Sequence, residues 1–526
     1  MAYQSPGVYV EEVSGGVKPI AGVGTSTGAF VGIAEKGDPD KAKLITNWGQ
    51  FVKEFGGFIP NAYLAYAVYS FFAEGGTSCY VVRVAPSGAL ASSYKSIKEK
   101  KDTNPRDILD ITARSAGKWG DRITVVIEDA SNNKRADGSV IDEKLFKLTV
   151  NYQEDVKFES EYETEGVIEI YDRLSLLDIA KRLEASAFIK IELKNITIPD
   201  ETDKAAIDAF NTRPANGSYP LSGGADGGDA GFADADFIGT FDNKKGMHAF
   251  DEVDDINIMA IPDKAGDREV IQEALNYCKL RKDCFFIADP PYGITPTDVA
   301  HFKNASSDTY TGNVFNSPYG ALYYPWVYIN DPMTSRKKLV PPSGVVAGTY
   351  AYTDTARGVH KAPAGVEAGY LDSVSGVERI VTSTQQESLN PLGINVIRSL
   401  PAGICIWGAR TLVVGPSEWT YINVRRLFMF LEESIDEGTQ WVVFEPNDPS
   451  LWGKVKRNLT AFLTRVWRDG ALYGATPEEA FFVKVDAENN PPEVRDAGQL
   501  VIEVGVAPVR PAEFVIIRVS QKTLVK

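Results

Sequence analysis

The sequence predicts a multidomain α/β protein, α+β overall, with an antiparallel β domain inserted into the α/β layer. Three observations carry this. The apolar runs Ala29-Phe30-Val31-Gly32-Ile33 and Cys79-Tyr80-Val81-Val82-Arg83-Val84 flank two helical stretches, a β-α-β pattern. A strand, helix, strand unit recurs from Ile256 to Ala288, which marks a parallel pair. Between the two, residues 91–220 alternate apolar and polar side chains, as half-buried antiparallel strands do.

In chain order, Val8 to Val13 reads as a short strand between Pro6-Gly7 and Gly15-Gly16. Strand 29–33 follows, then helices over 48–55 and 62–73, then strand 79–84. In the insertion, Ile123, Val125 and Ile127 point to one face, as do Phe146, Leu148, Val150 and Tyr152. Strand 256–261, helix 267–282 and strand 284–288 restore the α/β layer, and 321–329 reads as one further strand. Helices are expected over 421–435 and 453–467. On the second, Val455, Leu459, Phe462, Leu463 and Val466 share one face. Lys454, Arg457, Arg465 and Arg468 share the opposite one. The domains expected are an N-terminal arm (1–24), an α/β domain in two parts (25–90 and 221–384), the insertion (91–220), a C-terminal domain (385–505) and a terminal arm strand (506–526).

Composition excludes several classes of function. With 55 Lys plus Arg against 71 Asp plus Glu, the net charge is −16. That is a poor match to nucleic acid or anionic membranes, which need a basic face. Four scattered cysteines do not make a disulfide framework, and Cys278 and Cys284 lack zinc spacing. Three histidines leave little for metal or acid–base chemistry. The first residues have neither the basic nor the apolar region of a secretory signal, and no apolar run approaches the ~20 residues that span a bilayer.

Motif-like stretches fail their own context tests. Gly24-Thr25-Ser26-Thr27-Gly28 fits the nucleophile elbow, with Ser26 as nucleophile, but a strand follows where the motif needs a helix. Gly223 to Asp229 resembles one copy of a calcium-binding repeat, whose sites need stacked copies; it reads better as a turn whose Asp side chains cap backbone N–H groups. Asp289-Pro290-Pro291 and Pro341-Pro342-Ser343-Gly344 are rigid loops near strand ends. The basic stripe at 454–468 reads either as a solvated face or as a dock for an acidic partner. No cofactor is indicated.

The termini carry the most information. Val8, Tyr9, Val10 and Val13 at one end, and Phe514, Val515, Ile516, Ile517 and Val519 at the other, are strand-forming and apolar. Chain ends are usually polar and frayed, and an apolar strand is an aggregation hazard unless paired. These ends are candidate arms that add a strand to a neighbouring subunit. Burying three or four such side chains contributes on the order of 5–10 kcal/mol per arm before ordering entropy is subtracted. The alternatives are a hydrolase using Ser26 and a static surface or capsid-like protein using the same arms.

A series of blocks resembles the contractile tail sheath proteins of phages and of phage-tail-like injection systems. They include Leu221-Ser222-Gly223-Gly224-Ala225-Asp226-Gly227 with the following 257–262, and Ser317-Pro318-Tyr319-Gly320-Ala321-Leu322-Tyr323-Tyr324-Pro325-Trp326. They continue with Val340 to Gly348, Gly358 to Pro363, Leu389 to Asn395 and Trp407-Gly408-Ala409-Arg410-Thr411. Arg425-Arg426-Leu427-Phe428, Val443-Phe444-Glu445-Pro446-Asn447 and Pro511-Ala512-Glu513-Phe514 complete the series, and Pro6 to Glu12 opens it. The match covers roughly 1–90 and 220–526.

The resemblance implies a mechanical protein and no enzyme. Subunits would form a homo-oligomeric sheath around an inner tube protein, joined to baseplate and tail-terminator or cap proteins. No nucleic acid and no membrane insertion are implied. Assembly would occur in the cytoplasm of the producing cell, as part of a virion tail or injection particle. The α/β domain would be subtilisin-like in shape only, the insertion outward-facing, and the C-terminal domain innermost with exchanged terminal strands. That makes Lys454, Arg457, Arg465 and Arg468 the candidate inner-tube contact.

Overall fold

The computed structural model describes residues 20–60, 62–86, 88–101, 103–133, 142–153, 167–200, 202–227 and 231–514. The chain divides into a larger unit (26–353 and 363–420) and a smaller unit (1–25, 354–362 and 421–526).

The larger unit begins with β1 (Gly28–Gly32), β2 (Lys43–Ile45) and β3 (Cys79–Arg83). Helices Trp48–Phe55 and Leu64–Ala73 connect β2 to β3. The insertion supplies β4 (Ser93–Lys98), β5 (Asp107–Ala113), β6 (Ile123–Asp129), β7 (Phe146–Tyr152), β8 (Val167–Leu174), β9 (Ile189–Leu193) and β10 (Gly217–Pro220). The layer then resumes with β11 (Ile258–Ala260), β12 (Phe285–Ala288), β13 (Gly320–Tyr324), β14 (Val327–Asn330), β15 (Lys337–Val340), β16 (Val374–Val377), β17 (Ile394–Leu400) and β18 (Gly403–Ile406).

The main sheet has eight strands in the order β18-β17-β13-β12-β11-β1-β3-β2. Its interior pairs, from β17 to β3, are parallel, and the two edge strands are antiparallel. Parallel strands covered on both faces need apolar side chains throughout. Accordingly every residue of β1, β12 and β13 is buried. Helix Arg268–Arg281 crosses from β11 to β12, with Asp267 capping it by accepting from the Glu269 and Val270 amides.

Two sequence expectations change here. The strand expected over 321–329 is two elements, because the chain leaves the main sheet at the cis peptide Tyr324–Pro325. Proline lacks the N–H that a central ladder requires, and β14 pairs instead with β15 and β16. The C-terminal domain was expected to start at 385. Residues 394–406 instead extend the main sheet, β17 lying beside β13, and the smaller unit takes over at Tyr421.

The insertion forms two antiparallel sheets, β10-β6-β7-β8 and β4-β5-β9. Register places Val125 opposite Val150 and Ile127 opposite Leu148. These residues enter one core with Ile108, Leu109, Ile111 and Trp119. The alternate residues Thr124, Val126, Thr149 and Asn151 are only half-buried, which gives the period of two seen in the sequence.

In the smaller unit, helices Ile422–Thr439 and Pro449–Arg468 pack around Leu427, Leu431, Leu451, Val455, Leu459, Phe462, Leu463 and Val466. Asp448 caps the second helix by accepting from the Leu451 amide at 2.8 Å, and Pro449 occupies its first position. Strands β19 (Phe481–Lys484) and β20 (Glu503–Val506) form a two-stranded antiparallel sheet whose Phe481 and Val483 join this core. No helix among the described residues is long and apolar enough to cross a membrane.

Candidate functional site

Of the candidate arm residues, Val8, Tyr9, Val10, Val13, Val515, Ile516, Ile517 and Val519 lie outside the described residues. Phe514 is described and is 73% exposed. The chain approaches it from β20 through Leu472–Pro508 bridging and a bond from the Tyr473 amide to the Ala507 carbonyl.

Among the described residues, β19 and β20 each have one sheet neighbour, the other. An isolated pair of strands is marginal in water. Among the described residues no third strand lies on either edge of the pair, and a sheet edge can accept a further strand. The outer face of β19 exposes Phe482. Sequence periodicity does not reveal this sheet, although Phe481-Phe482-Val483-Lys484-Val485 and Ile502-Glu503-Val504-Gly505-Val506 carry a strand signal in their composition.

The basic stripe is real as geometry. Lys454, Arg457, Arg465 and Arg468 are all exposed, opposite the buried face of their helix. They differ in what they do. The Arg465 guanidinium stacks 6.0 Å from the Phe462 ring and donates to the carbonyl of Ile20. Lys454 and Arg457 project one turn apart from the same helix, and Arg468 follows about three turns later on the same stripe.

A buried ion pair stands at the start of the preceding helix. Arg426 donates to both carboxylate oxygens of Asp354, at 2.9 and 2.6 Å, and to the Thr25 carbonyl at 2.8 Å. Both side chains are almost wholly buried. Burial raises the Asp354 pKa, and Arg426 opposes that shift.

Phe444, in the Val443 to Asn447 block, stands out on the surface of the same unit. It is fully exposed and adopts a left-handed φ of 69°, a conformation that is rare for a bulky residue. Bonds from the Glu445 amide to Val442 and from the Trp452 indole to Asn447 fix the turn around it.

In the larger unit, the strand order reverses between β1 and β11. In open α/β sheets, the crevice at such a reversal is where ligands bind. Here the chain fills it. The Asp263 carboxylate accepts from the Ile33 amide at 2.6 Å and from the amides of Tyr63 and Leu64, at the start of helix Leu64–Ala73. Gly32 has no side chain because a Cβ there would strike that carboxylate. Desolvation raises the Asp263 pKa to about 6 against those three donors.

The remaining sequence motifs become structural devices. The Asp289 and Pro341-Pro342-Ser343 loops meet: Asp289 accepts from the Ser343 amide at 2.8 Å, which caps helix Ser343–Arg357. Burial raises Asp289 to about 7. Trp326 Nε1 donates to Pro290. Asp226, from the calcium-like stretch, accepts from the Lys118 amide. Ser26 lies two residues before β1, so a strand follows it where a nucleophile elbow requires a helix. The Nδ1 atoms of His248 and His301 pair with Asp251 and Ser306.

Residues 237–412 match the phage tail sheath protein central domain, and residues 415–522 match the phage tail sheath C-terminal domain. The tail sheath protein of Vibrio phage KVP40 is 27% identical over 250 residues, covering 45% of this chain and 36% of that protein. That of Burkholderia phage BcepMu is 30% identical over 195 residues, covering 34% and 38%. The matched region thus spans little more than a third of these relatives' own length. Among solved structures, the helical sheath of the anti-feeding prophage in its contracted state has the same fold. Its TM-score is 0.56 at 23% identity, covering 99% of this chain and 100% of that one. A sheath tail protein from Listeria innocua gives 0.57 at 13% identity, covering 93% and 96%. With the two family domains accounting for more than half of its residues, the chain belongs to the phage tail sheath protein family.

Proposed function

We propose that this protein is the structural subunit of a contractile sheath. Copies polymerise as a helix of stacked rings around an inner tube in a metastable extended state. On a signal from the baseplate the sheath shortens and widens, driving the tube through a target envelope. The observation that supports this best is the open two-stranded sheet β19-β20 in a chain whose two ends are strand-forming. A sheet with no third strand among the described residues suits incoming arms. A subunit that gives and receives arms is a node in a mesh, and multivalency then resists dissociation.

Contraction needs two packings of one subunit that share the arm contacts and exchange contacts between subunit bodies. The extended state would persist through a high barrier and not through lower free energy. The names of the relatives favour this reading, since the anti-feeding prophage sheath was observed contracted. The basic stripe of helix Pro449–Arg468 is the proposed face toward the tube, carried by Lys454, Arg457 and Arg468.

The experiment is to isolate sheaths formed around a tube and image them before and after a mild denaturing trigger. A contractile sheath gives two discrete lengths and diameters. A static polymer keeps one length until it dissociates, and that outcome would reject contraction while leaving self-assembly.

A further inference from the structure

Residues 20–25 lie along one stripe of helix Ile422–Thr439, and every turn of that stripe holds them. Gly438 faces Ile20: a Cβ on Gly438 would come within 2.7 Å of both Ile20 γ-carbons and 3.0 Å of its Cβ, so glycine is what lets the branched Ile20 side chain lie against the helix. Ser434 Oγ accepts from the Val23 amide at 3.1 Å. The Phe430 ring covers Gly22, where an added Cβ would come within 2.9 Å of it. Arg426 donates to the Thr25 carbonyl. Residues 426, 430, 434 and 438 are each four apart, so they form one row on the helix surface. From the neighbouring helix, Arg465 adds a bond to the Ile20 carbonyl. Ile20 itself is buried in the core of the unit.

An arm shared with a neighbour transmits load only if its base does not peel away. We propose that residues 20–25 are a permanent anchor for the base of the N-terminal arm, seated on this helix in the free chain and in the polymer alike. Arg465 is a positioning residue of this anchor and not part of the tube-facing stripe. The proposal rests on the arm-exchange reading for its purpose, although the anchor itself can be measured in the isolated chain.

The test joins the anchor covalently. In an Ile20→Cys, Gly438→Cys double variant the branched γ-carbons of Ile20 are gone, and the two Cβ atoms, 3.0 Å apart, reach disulfide separation with a shift of about half an ångström; the four native cysteines are buried. The folded, isolated chain should form the disulfide on air oxidation, seen as two fewer thiols in denaturant than after reduction. The oxidised and reduced forms should then assemble to the same extent. The anchor is overturned if no disulfide forms in the folded chain. It is also overturned if the oxidised form fails to assemble where the reduced form succeeds. If neither the wild type nor the reduced variant assembles, the sheath reading fails, and disulfide yield alone judges the anchor.

Adding Arg465→Gln should slow disulfide formation several-fold, whereas Lys454→Gln should leave it unchanged; equal rates in both would remove Arg465 from the anchor. Hydrogen exchange on the unmodified protein supplies an independent check. The Val23 amide should be protected in the free chain and in the polymer alike, and rapid exchange in either state contradicts the proposal.

Discussion

At the scale of single residues, this protein uses buried charge as internal fixing. Arg426 and Asp354 neutralise one another inside the smaller unit. Removing one member of such a pair leaves an uncompensated buried charge, which costs about 3–5 kcal/mol. Arg426→Ala should therefore lower the unfolding free energy by that amount in a urea melt, and an apolar replacement of both partners should recover most of it. Asp289 makes a different prediction. Its pKa is raised to about 7 by burial, so the folded chain holds this proton more tightly than the unfolded chain does. Its contribution is fully present below the unfolded carboxyl pKa and is lost as pH rises through 7. Between pH 6 and pH 8 this amounts to about 1 kcal/mol. Asp289→Asn cannot titrate and still accepts from the Ser343 amide. The fall in stability from pH 6 to pH 8 should be smaller in the variant by about that amount. Equal slopes in the two proteins would show that Asp289 does not titrate in this range.

At the scale of elements, the helix Pro449–Arg468 separates packing from docking. Its buried face holds Leu459, fully enclosed, and Leu459→Ala should cost about 2–5 kcal/mol of stability. Its opposite face should tolerate charge reversal without that cost. A Lys454→Glu, Arg457→Glu, Arg468→Glu variant should keep its thermal midpoint but polymerise poorly around tubes; normal extended sheaths would remove the tube-facing assignment. Both faces of this helix were legible in the sequence, because a period of 3.6 over many residues is a strong signal. The alternation in β6 and β7 was legible for the same kind of reason. The β19-β20 sheet was overlooked since four-residue strands carry little periodicity, although their composition pointed the right way. The break at Pro325 was marked by the proline itself, yet the apolar run around it read as continuous. Arg465 shows the limit of sequence pattern most clearly. Helical spacing groups it with three other basic residues, while its bond partner, Ile20, is 445 positions away. The Asp263 plug spans 230 positions to Ile33 and was equally invisible.

At the scale of the whole molecule, a chain of net charge −16 gains solubility before assembly and repels its own copies. The proposed self-assembly has to overcome that repulsion, and strand exchange through both termini is its proposed source. The direct measurement is negative-stain electron microscopy of the purified chain, full-length and with residues 1–14 deleted. The account predicts long, striated hollow tubes from the full chain and small, dispersed particles from the deletion. A full chain that stays a monodisperse monomer under all salt conditions, or a deletion that forms the same tubes, would contradict it.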